Sequence, residues 1–320
     1  MNSLYKKNIH LFFLNKIILI LIVFVFLFFC FELVNYDKAK NPDIHNYISN
    51  YERASWTYDI GFEYFQSFLR DFVNLDFDGF WIVTLVLLTS LFLFNVRNLP
   101  QLTVFIINYT FLSVAIGTQV RYFLSVFLFI SCFRYLEGRL KNTGLIFSCL
   151  VHYGSFVLLG LVIINSTLQR YIVPFVKYRL VFYVVIVVSY FTISPLVEFL
   201  LPYTRFDYYL NSKYMESKSL FSFLYAVISM FFLMELIIKA NVNKSFFSKK
   251  ELDLVLYSLL LISCVIAFSS IAVLSGRILL VYIVFEVFLA DVIYKSNKVY
   301  YFIFLILIFA KAIPVFISMI

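Results

Sequence analysis

The sequence contains little charge, glycine or proline. Of its 320 residues only 14% are charged, and there are 8 glycines and 6 prolines. So few turn-forming residues exclude a loop-rich or β-rich protein, and so few charges exclude an ordinary soluble domain. Hydrophobic residues reach 63% and the mean hydropathy is +0.93. The composition predicts an all-α, polytopic integral membrane helix bundle that forms a single membrane-embedded domain over residues 1–320.

The sequence also lacks the signatures of disulfide-rich domains and of soluble enzymes. All of the cysteines, Cys30, Cys132, Cys149 and Cys264, lie inside apolar runs, which indicates small core side chains rather than disulfides. There is no Gly-rich phosphate loop, HExxH, CxxC or GxSxG motif, and no Asp-x-Asp pair in a cytoplasmic domain. We therefore expect no metal and no cofactor, and a substrate that arrives through the membrane or from outside.

The apolar residues fall into ten segments, each of which approaches the ~20 residues needed to cross a ~30 Å hydrocarbon core. These segments lie at roughly 17–31, 80–96, 102–119, 121–136, 143–165, 179–199, 219–238, 253–275, 278–294 and 299–319. The first is interpreted as an uncleaved transmembrane helix, because no small-residue cleavage site follows it.

The distribution of charge predicts the orientation of these segments. The N-terminal tail carries Lys6, Lys7 and Lys16 and no acid, so we expect it in the cytoplasm. Residues 35–78 carry eight acids and four bases, so this loop is expected outside. Simple alternation then places the basic stretch 170–179 outside, against the rule. The conflict disappears if segment 143–165 is broken or re-entrant near His152. The alternative is that the charge rule fails here.

The external loop contains an amphipathic pattern. From Tyr58 to Val73 one helical face carries apolar residues and the opposite face carries polar ones. The apolar set is Phe62, Phe65, Leu69, Phe72 and Val73, and the polar set is Glu63, Gln66 and Arg70. The pattern predicts a helix in the plane of the interface that caps an external cavity and presents carboxylates to it. The alternative is an amphipathic element that merely packs on the bundle.

Two arginines stand at the ends of long uncharged runs. Residues 98–120 and 254–276 contain no Asp, Glu, Lys or Arg, and they are followed at once by Arg121 and Arg277. By the predicted topology both arginines fall at the outer ends of their helices. A charge at this depth is costly, so each is a functional candidate with an anionic partner. The alternative is a side chain that snorkels to the interface and ends a helix.

Other polar residues give weaker signals. His152 lies in the middle of an uncharged stretch, where it is either functional or a hydrogen-bonded structural residue. Glu286 and Lys311 are expected to pair between adjacent helices. The loop 202–219 includes Arg205, Tyr208 and Tyr209, whose side chains suit sugar rings but equally suit an interfacial aromatic belt.

Three segments carry a family resemblance. They are Gly-Thr-Gln-Val-Arg-Tyr-Phe-Leu-Ser at 117–125, Leu-Val-His-Tyr-Gly-Ser at 150–155 and Ser-Gly-Arg-Ile-Leu-Leu-Val-Tyr at 275–282. Their order and spacing, with the acidic first loop and about ten spans, resemble the EpsG family of Wzy-type bacterial polysaccharide polymerases over nearly the whole chain.

The resemblance implies a membrane glycosyltransferase of the bacterial inner membrane that needs no metal. Its substrates would be undecaprenyl-pyrophosphate-linked oligosaccharide repeat units at the outer leaflet, and a chain-length regulator is a candidate protein partner. No nucleic acid is expected. Arg121 and Arg277 would bind the pyrophosphate, since guanidinium forks bind phosphate oxygens bidentately. His152 is the best candidate for the base, and Glu63 and Asp59 are the reserves. Arg205, Tyr208 and Tyr209 are the candidate sugar contacts.

Three other classes remain open at this point. A flippase for lipid-linked oligosaccharides would also place arginines in a membrane cavity, although the chain shows no internal repeat. A membrane O-acyltransferase of surface glycans has a similar number of spans, but its polar residues are expected earlier in the chain. The last alternative is an accessory scaffold without chemistry. Loss of a polymerase would leave one repeat unit on its lipid outside the cell, whereas loss of a flippase would leave none there.

The charge pattern makes a topological prediction. In a cysteine-free background, Asn74→Cys is expected to react with an impermeant thiol reagent added outside, and Asn297→Cys only after access from the cytoplasm. The reason is the excess of lysine and arginine in cytoplasmic loops. Labelling of both positions from the same side would contradict the assignment.

Overall fold

The computed structural model of the chain describes a helical protein. The described residues are 17–32, 41, 43–175, 184, 187–189, 191–192, 195–196, 199, 201–203, 220–242, 246–269 and 271–319. Within these ranges the regular structure is all helical and contains no strand. The all-α prediction is therefore confirmed for the described part of the chain.

The described helices are numbered in chain order. They are α1 (Ile17–Glu32), α2 (Ile44–Arg53), α3 (Ile60–Ser67), α4 (Phe77–Phe94), α5 (Leu99–Thr118), α6 (Val120–Tyr135), α7 (Gly138–Val151), α8 (Phe156–Phe175), α9 (Leu220–Val242), α10 (Lys249–Ala267), α11 (Ala272–Ser296) and α12 (Lys298–Met319). A π-helical turn (Phe68–Phe72) continues α3, and 3-10 turns cover Tyr153–Ser155 and Leu201–Tyr203.

The chain divides into two compact units, Met1–Leu159 and Gly160–Ile320. In the first unit α6 packs against α4, α5 and α7, and α3 packs against α7. In the second unit α9 packs on α10, α10 on α11 and α11 on α12, which also contacts α9. The single membrane-embedded domain over 1–320 stays a prediction.

Several helices have the length and composition of membrane spans. Helices α4 and α11, and residues 220–240 of α9, are long and apolar enough to cross a bilayer, and Ile17–Glu32 and Tyr153–Ser166 are shorter apolar helices. The protein is therefore a membrane protein, and the count of ten spans stays a prediction. The predicted span 179–199 lies largely outside the described residues.

The predicted break in segment 143–165 is confirmed. Helix α7 ends at Val151, His152 is extended with φ −152° and ψ 113°, and α8 begins at Phe156 after one 3-10 turn. The hydroxyl of Ser125, on α6, donates to the carbonyl of Ser148 at 2.6 Å and lies 2.7 Å from Ser155 Oγ. Ser125 thus satisfies a carbonyl that the end of α7 leaves without a helical partner. Whether the segment is re-entrant stays a prediction.

The predicted span 253–275 is wrong in its C-terminal boundary. Helix α10 ends at Ala267, and α11 begins at Ala272, so Arg277 lies in the second turn of α11 rather than beyond a helix end. The backbone turns because Ile271 N–H donates to the carbonyl of Phe268 at 2.8 Å. The hydroxyl of Ser275 then donates to the carbonyl of Val265 at 2.9 Å, which ties the start of α11 to the end of α10.

The loop 35–78, which is predicted to be external, contains two helices, α2 and α3. The interfacial helix predicted over 58–73 corresponds to α3 and its π-helical extension. The predicted faces are partly wrong, because Glu63 and Gln66 are buried while Phe72 is 81% exposed. The exposure of Phe72 follows a change in the backbone, where Val73 N–H donates to the carbonyl of Phe68, five residues earlier, at 3.1 Å. This π-helical bond shifts the later residues off the 3.6-residue period.

Gly61 allows α3 to approach α7 closely. A Cβ atom at this position would lie 2.9 Å from the carbonyl carbon and oxygen of Leu150 and from the amide nitrogen of Val151. These are backbone atoms in the last turn of α7, so they cannot move aside as a flexible side chain would. The approach places the start of α3 beside the helix break at His152.

We predict that Gly61→Ala destabilises the protein, by roughly 1–3 kcal/mol, as overpacking does. Thermal unfolding in detergent, followed by fluorescence, measures the effect. The matched control is Gly160→Ala on α8, where an added Cβ meets no heavy atom within 4 Å. That control is expected to be neutral or to stabilise by about 0.5–1 kcal/mol through helix propensity. Equal midpoints for the two variants would show that the close approach does not matter.

Candidate active site

The carboxylate of Asp59 joins two of the candidates from the sequence, Arg121 and His152. Its Oδ2 accepts a hydrogen bond from Arg121 Nη1 at 2.9 Å and lies 3.1 Å from His152 Nδ1. Its Oδ1 accepts from the backbone N–H of Tyr153 at 3.1 Å. Residues that are 62 and 93 positions from Asp59 in the chain therefore meet at one side chain.

Each of these side chains stands at the end of a helix. Asp59 is the N-cap of α3, Arg121 is the second residue of α6, and His152 follows the last residue of α7. The first N–H groups and the last C=O groups of a helix have no partner within that helix, so other polar groups can bond to them. The amide of Asn41 donates to the carbonyl of Gly117 at 3.0 Å, which holds the segment before α2 on the last turn of α5.

The surroundings of Asp59 keep its carboxyl ionised. Burial by itself would raise the pKa of Asp59, but the hydrogen bonds from His152 and Tyr153 and the positive charge of Arg121 lower the pKa below its usual value. An ionised carboxylate can only accept hydrogen bonds. A neutral His152 must therefore carry its proton on Nδ1, which leaves Nε2 as a lone-pair acceptor.

The guanidinium of Arg121 lies between two tyrosines. Its Cζ stands 3.9 Å from the centre of the Tyr58 ring and 5.7 Å from that of Tyr47. Its Nε donates to the hydroxyl of Tyr47 at 3.3 Å. Cation–π contacts of this kind stabilise a partly desolvated charge. Burial raises the pKa of Tyr47, so its hydroxyl stays neutral and able to accept.

The site is partly open. The side chain of Arg121 is 23% exposed, that of His152 is 17% exposed and that of Asp59 is 9% exposed. Among the hydrogen bonds of the described residues, those of Arg121 use Nε and Nη1, and none uses Nη2. The guanidinium can therefore receive a further anionic oxygen while it keeps its contact with Asp59.

Gly154 lies against the free edge of the imidazole. A Cβ at this position would stand 3.0 Å from His152 Nε2. The ring edge of Tyr122 packs on the imidazole, with centroids 5.5 Å apart and planes at 82°. The absence of a side chain at residue 154 thus leaves space next to the nitrogen that can accept a proton.

Glu63, a reserve candidate for the base, lies in a separate buried network. Its Oε1 accepts from the amide of Asn50 at 3.0 Å and from the backbone N–H of Tyr58 at 2.7 Å. The same Asn50 amide donates to Gln66 at 2.7 Å. Glu63 is only 2% exposed, so these bonds favour a supporting role for it over contact with a substrate.

The remaining candidates lie elsewhere in the chain. Arg277 is half-buried on α11 in the second unit. Arg205, Tyr208 and Tyr209 fall outside the described residues, and their role in sugar binding stays a prediction. Among the described residues no group of three or more His, Cys, Asp or Glu side chains could hold a metal ion.

The predicted pairing of Glu286 with Lys311 is confirmed. Lys311 Nζ lies 2.5 Å from Glu286 Oε2, and the hydroxyl of Tyr225 donates to Glu286 Oε1. The side chain of Lys311 is 7% exposed and that of Glu286 is 0% exposed, which isolates this ion pair from solvent. The pair therefore joins α11 and α12 as a structural contact.

Sequence reasoning missed the two tyrosines that surround Arg121. Tyr47 belongs to α2, which was not predicted, although Ile44, Tyr47 and Tyr51 follow a helical spacing that could have revealed the helix. No comparable signal exists for Tyr58, because it lies in a short irregular segment before Asp59. Its contact with Arg121 depends on the tertiary fold alone.

Comparison with known proteins shows the family of the chain. The model of the EpsG family matches residues 15–320, which is nearly the whole chain. The chain therefore belongs to the EpsG family, a family of Wzy-like polysaccharide polymerases. No curated protein and no solved structure matches the chain. The family implies a polysaccharide polymerase, a glycosyltransferase-like membrane enzyme.

The lowered pKa of Asp59 predicts a pH-dependent contribution to stability. A group whose pKa is lower in the folded state stabilises the fold above its unfolded pKa of about 3.9, and this contribution is lost as the pH falls through the folded value. We expect Asp59→Asn to lower the thermal midpoint at pH 7 but to differ little from the wild type in strong acid.

Asp71→Asn is the matched control, since Asp71 is a solvent-exposed carboxylate paired with Arg70 on the same loop. Exposed pairs contribute little to stability, so this variant is expected to match the wild type at every pH. A constant difference between Asp59→Asn and the wild type across the pH range would contradict a charge-based role for Asp59.

Proposed function

We propose that this protein polymerises a surface polysaccharide by joining undecaprenyl-pyrophosphate-linked oligosaccharide repeat units at the outer face of the bacterial cytoplasmic membrane. The growing chain moves from its lipid pyrophosphate to a hydroxyl at the non-reducing end of a fresh lipid-linked unit. The observation that carries the proposal is the arrangement of Arg121 and His152 around the single carboxylate of Asp59.

In this proposal His152 accepts the proton of the attacking hydroxyl. With Nδ1–H held by Asp59 at 3.1 Å, the lone pair of Nε2 faces the space beside Gly154. As the acceptor oxygen bonds to the anomeric carbon, its proton passes to Nε2. Asp59 then stabilises the imidazolium that forms, as a carboxylate behind a catalytic histidine does.

Arg121 has the complementary task. When the bond between the anomeric carbon and the pyrophosphate oxygen breaks, the electron pair moves onto the pyrophosphate. A guanidinium stays positive throughout and offers planar, paired donors to phosphate oxygens. In a partly desolvated site, fixed donors stabilise this developing charge more than they would in water. Arg277 is proposed as a second contact to the same pyrophosphate.

Asp59 is a positioning residue in this scheme rather than the base. Both of its oxygens already accept hydrogen bonds, from Arg121, His152 and Tyr153. Glu63 supports the loop before Asp59 through its bond to Tyr58 N–H. The sugar contacts proposed for Arg205, Tyr208 and Tyr209, and a chain-length regulator as partner, belong to the same scheme.

The proposal predicts that Arg121→Ala, Arg277→Ala and His152→Ala each abolish polymer. Loss of one donor that stabilises transition-state charge costs about 10²–10³ in rate. Arg121→Lys is expected to be intermediate, because an ammonium cannot reproduce a bidentate contact. A strain that lacks the gene supplies the lipid-linked single repeat unit. Polymer length is then measured per folded protein molecule in proteoliposomes.

The matched controls are Arg53→Ala and His45→Ala, which remove exposed side chains on α2. Both are expected to retain polymer of wild-type length. Wild-type polymer from Arg121→Ala and Arg277→Ala together would reject the pyrophosphate contact. A mutant strain with no lipid-linked unit outside the cell would instead point to a flippase.

A further inference from the structure

Trp56 has a strained backbone next to the candidate active site. Its φ is +51°, in the left-handed region that bulky side chains rarely adopt. The residue lies in the irregular segment between α2 and α3, three positions before Asp59. Such strain costs free energy, persists only where surrounding bonds impose it, and occurs preferentially at functional sites.

The bonds that impose this conformation come from Asn50. Its Oδ1 accepts from Ser55 Oγ at 2.8 Å, and from the backbone N–H and Oγ1 of Thr57 at 3.1 and 2.7 Å. The residues on both sides of Trp56 are thus fixed to one buried oxygen. The amide of Asn50 is fixed in turn by Glu63 and Gln66. This network therefore holds Trp56 in its left-handed conformation.

The rings of Trp56 and Tyr64 are both exposed on the protein surface. Trp56 is 47% exposed and Tyr64 is 63% exposed. Their centroids lie 5.1 Å apart with planes at 87°, so the two rings form a right-angled corner. Both rings carry a polar edge, an indole N–H and a phenol hydroxyl, beside an apolar face.

This corner lies close to the reacting groups of the proposed mechanism. Three residues of chain span at most about 11 Å, so the Cα of Trp56 lies within that distance of the Cα of Asp59. Tyr58, two residues after Trp56, contacts the guanidinium of Arg121 at 3.9 Å. A ligand whose pyrophosphate binds Arg121 could therefore place its first sugars against the corner.

We propose that Trp56 and Tyr64 form a saccharide subsite that stacks a pyranose ring of the oligosaccharide whose pyrophosphate binds at Arg121. The axial C–H bonds of a pyranose present a weakly positive face, which fits the negative face of an indole or phenol ring. The sugar hydroxyls around that face suit the polar edges of the same rings. This inference rests on the proposed function.

Fluorescence tests the binding directly, because the chain has two tryptophans, Trp56 and Trp81. Trp81→Phe leaves Trp56 as the sole tryptophan and keeps an aromatic ring at a buried position. The probe is the free oligosaccharide released by mild acid from the lipid-linked units of the gene-deletion strain. We expect a saturable change in Trp56 emission. No change at any concentration would reject the subsite.

Substitution at residue 56 separates the role of the ring from that of the backbone. Glycine adopts positive φ without strain, so Trp56→Gly is expected to unfold at the same temperature as the wild type or higher. The same variant should bind the oligosaccharide about tenfold more weakly and raise KM accordingly, with a smaller change in kcat. A lowered midpoint with unchanged KM would show that Trp56 is structural.

Phe72→Ala is the matched control, since Phe72 is 81% exposed on the same loop and stacks on Phe68. It is expected to leave saccharide binding unchanged, whereas Tyr64→Ala weakens it.

Quenching of Trp56 by phospholipids brominated on their acyl chains, without any response to oligosaccharide, would identify a lipid anchor instead. If the wild type binds the oligosaccharide but forms no polymer, the proposed function fails and the subsite stands.

Discussion

One buried carboxylate organises the first unit of this protein. Asp59 holds Arg121 at 2.9 Å and His152 at 3.1 Å, and it also accepts the N–H of Tyr153. An arginine in an apolar environment requires an anion nearby, since an isolated charge there is strongly unfavourable. Because Asp59 supplies that anion as the N-cap of α3, the loop that contains α2 and α3 must lie on the ends of α6 and α7.

The broken helix makes this arrangement possible. A continuous helix through residues 143–165 would bury the backbone of His152 in regular hydrogen bonds and leave Tyr153 N–H unavailable to Asp59. Instead Ser125 satisfies the carbonyl of Ser148 and contacts Ser155, so the interruption leaves few polar groups unpaired. Irregular backbone in a membrane protein is tolerated where protein buries its polar groups in this way. The break is therefore part of the site.

The sequence alone revealed the charges of the candidate active site but not their partners. Arg121 and His152 stand out because each interrupts an uncharged run, and the charge conflict at residues 170–179 indicated the break. No periodic pattern pairs Asp59 with residues 62 and 93 positions away. Glu63 and Gln66 were assigned to a polar outer face because the 3.6-residue period treats polar side chains as solvent-facing. Asn50, on the unpredicted helix α2, donates to both side chains in the interior. The turn after Ala267 was missed because Ser269 and Ser270 interrupt the apolar run without glycine, proline or charge.

Two buried ion pairs among the described residues differ in a way that bears on function. Glu286 and Lys311 are 0% and 7% exposed, so this pair is closed to solvent and its attraction stabilises the contact between α11 and α12. Asp59 and Arg121 are 9% and 23% exposed, and the guanidinium also contacts the ring of Tyr58. A partly exposed pair is still desolvated enough to strengthen its electrostatic contacts, and it also leaves room for an anion. The exposure of the charged side chains therefore distinguishes the candidate active site from the structural pair.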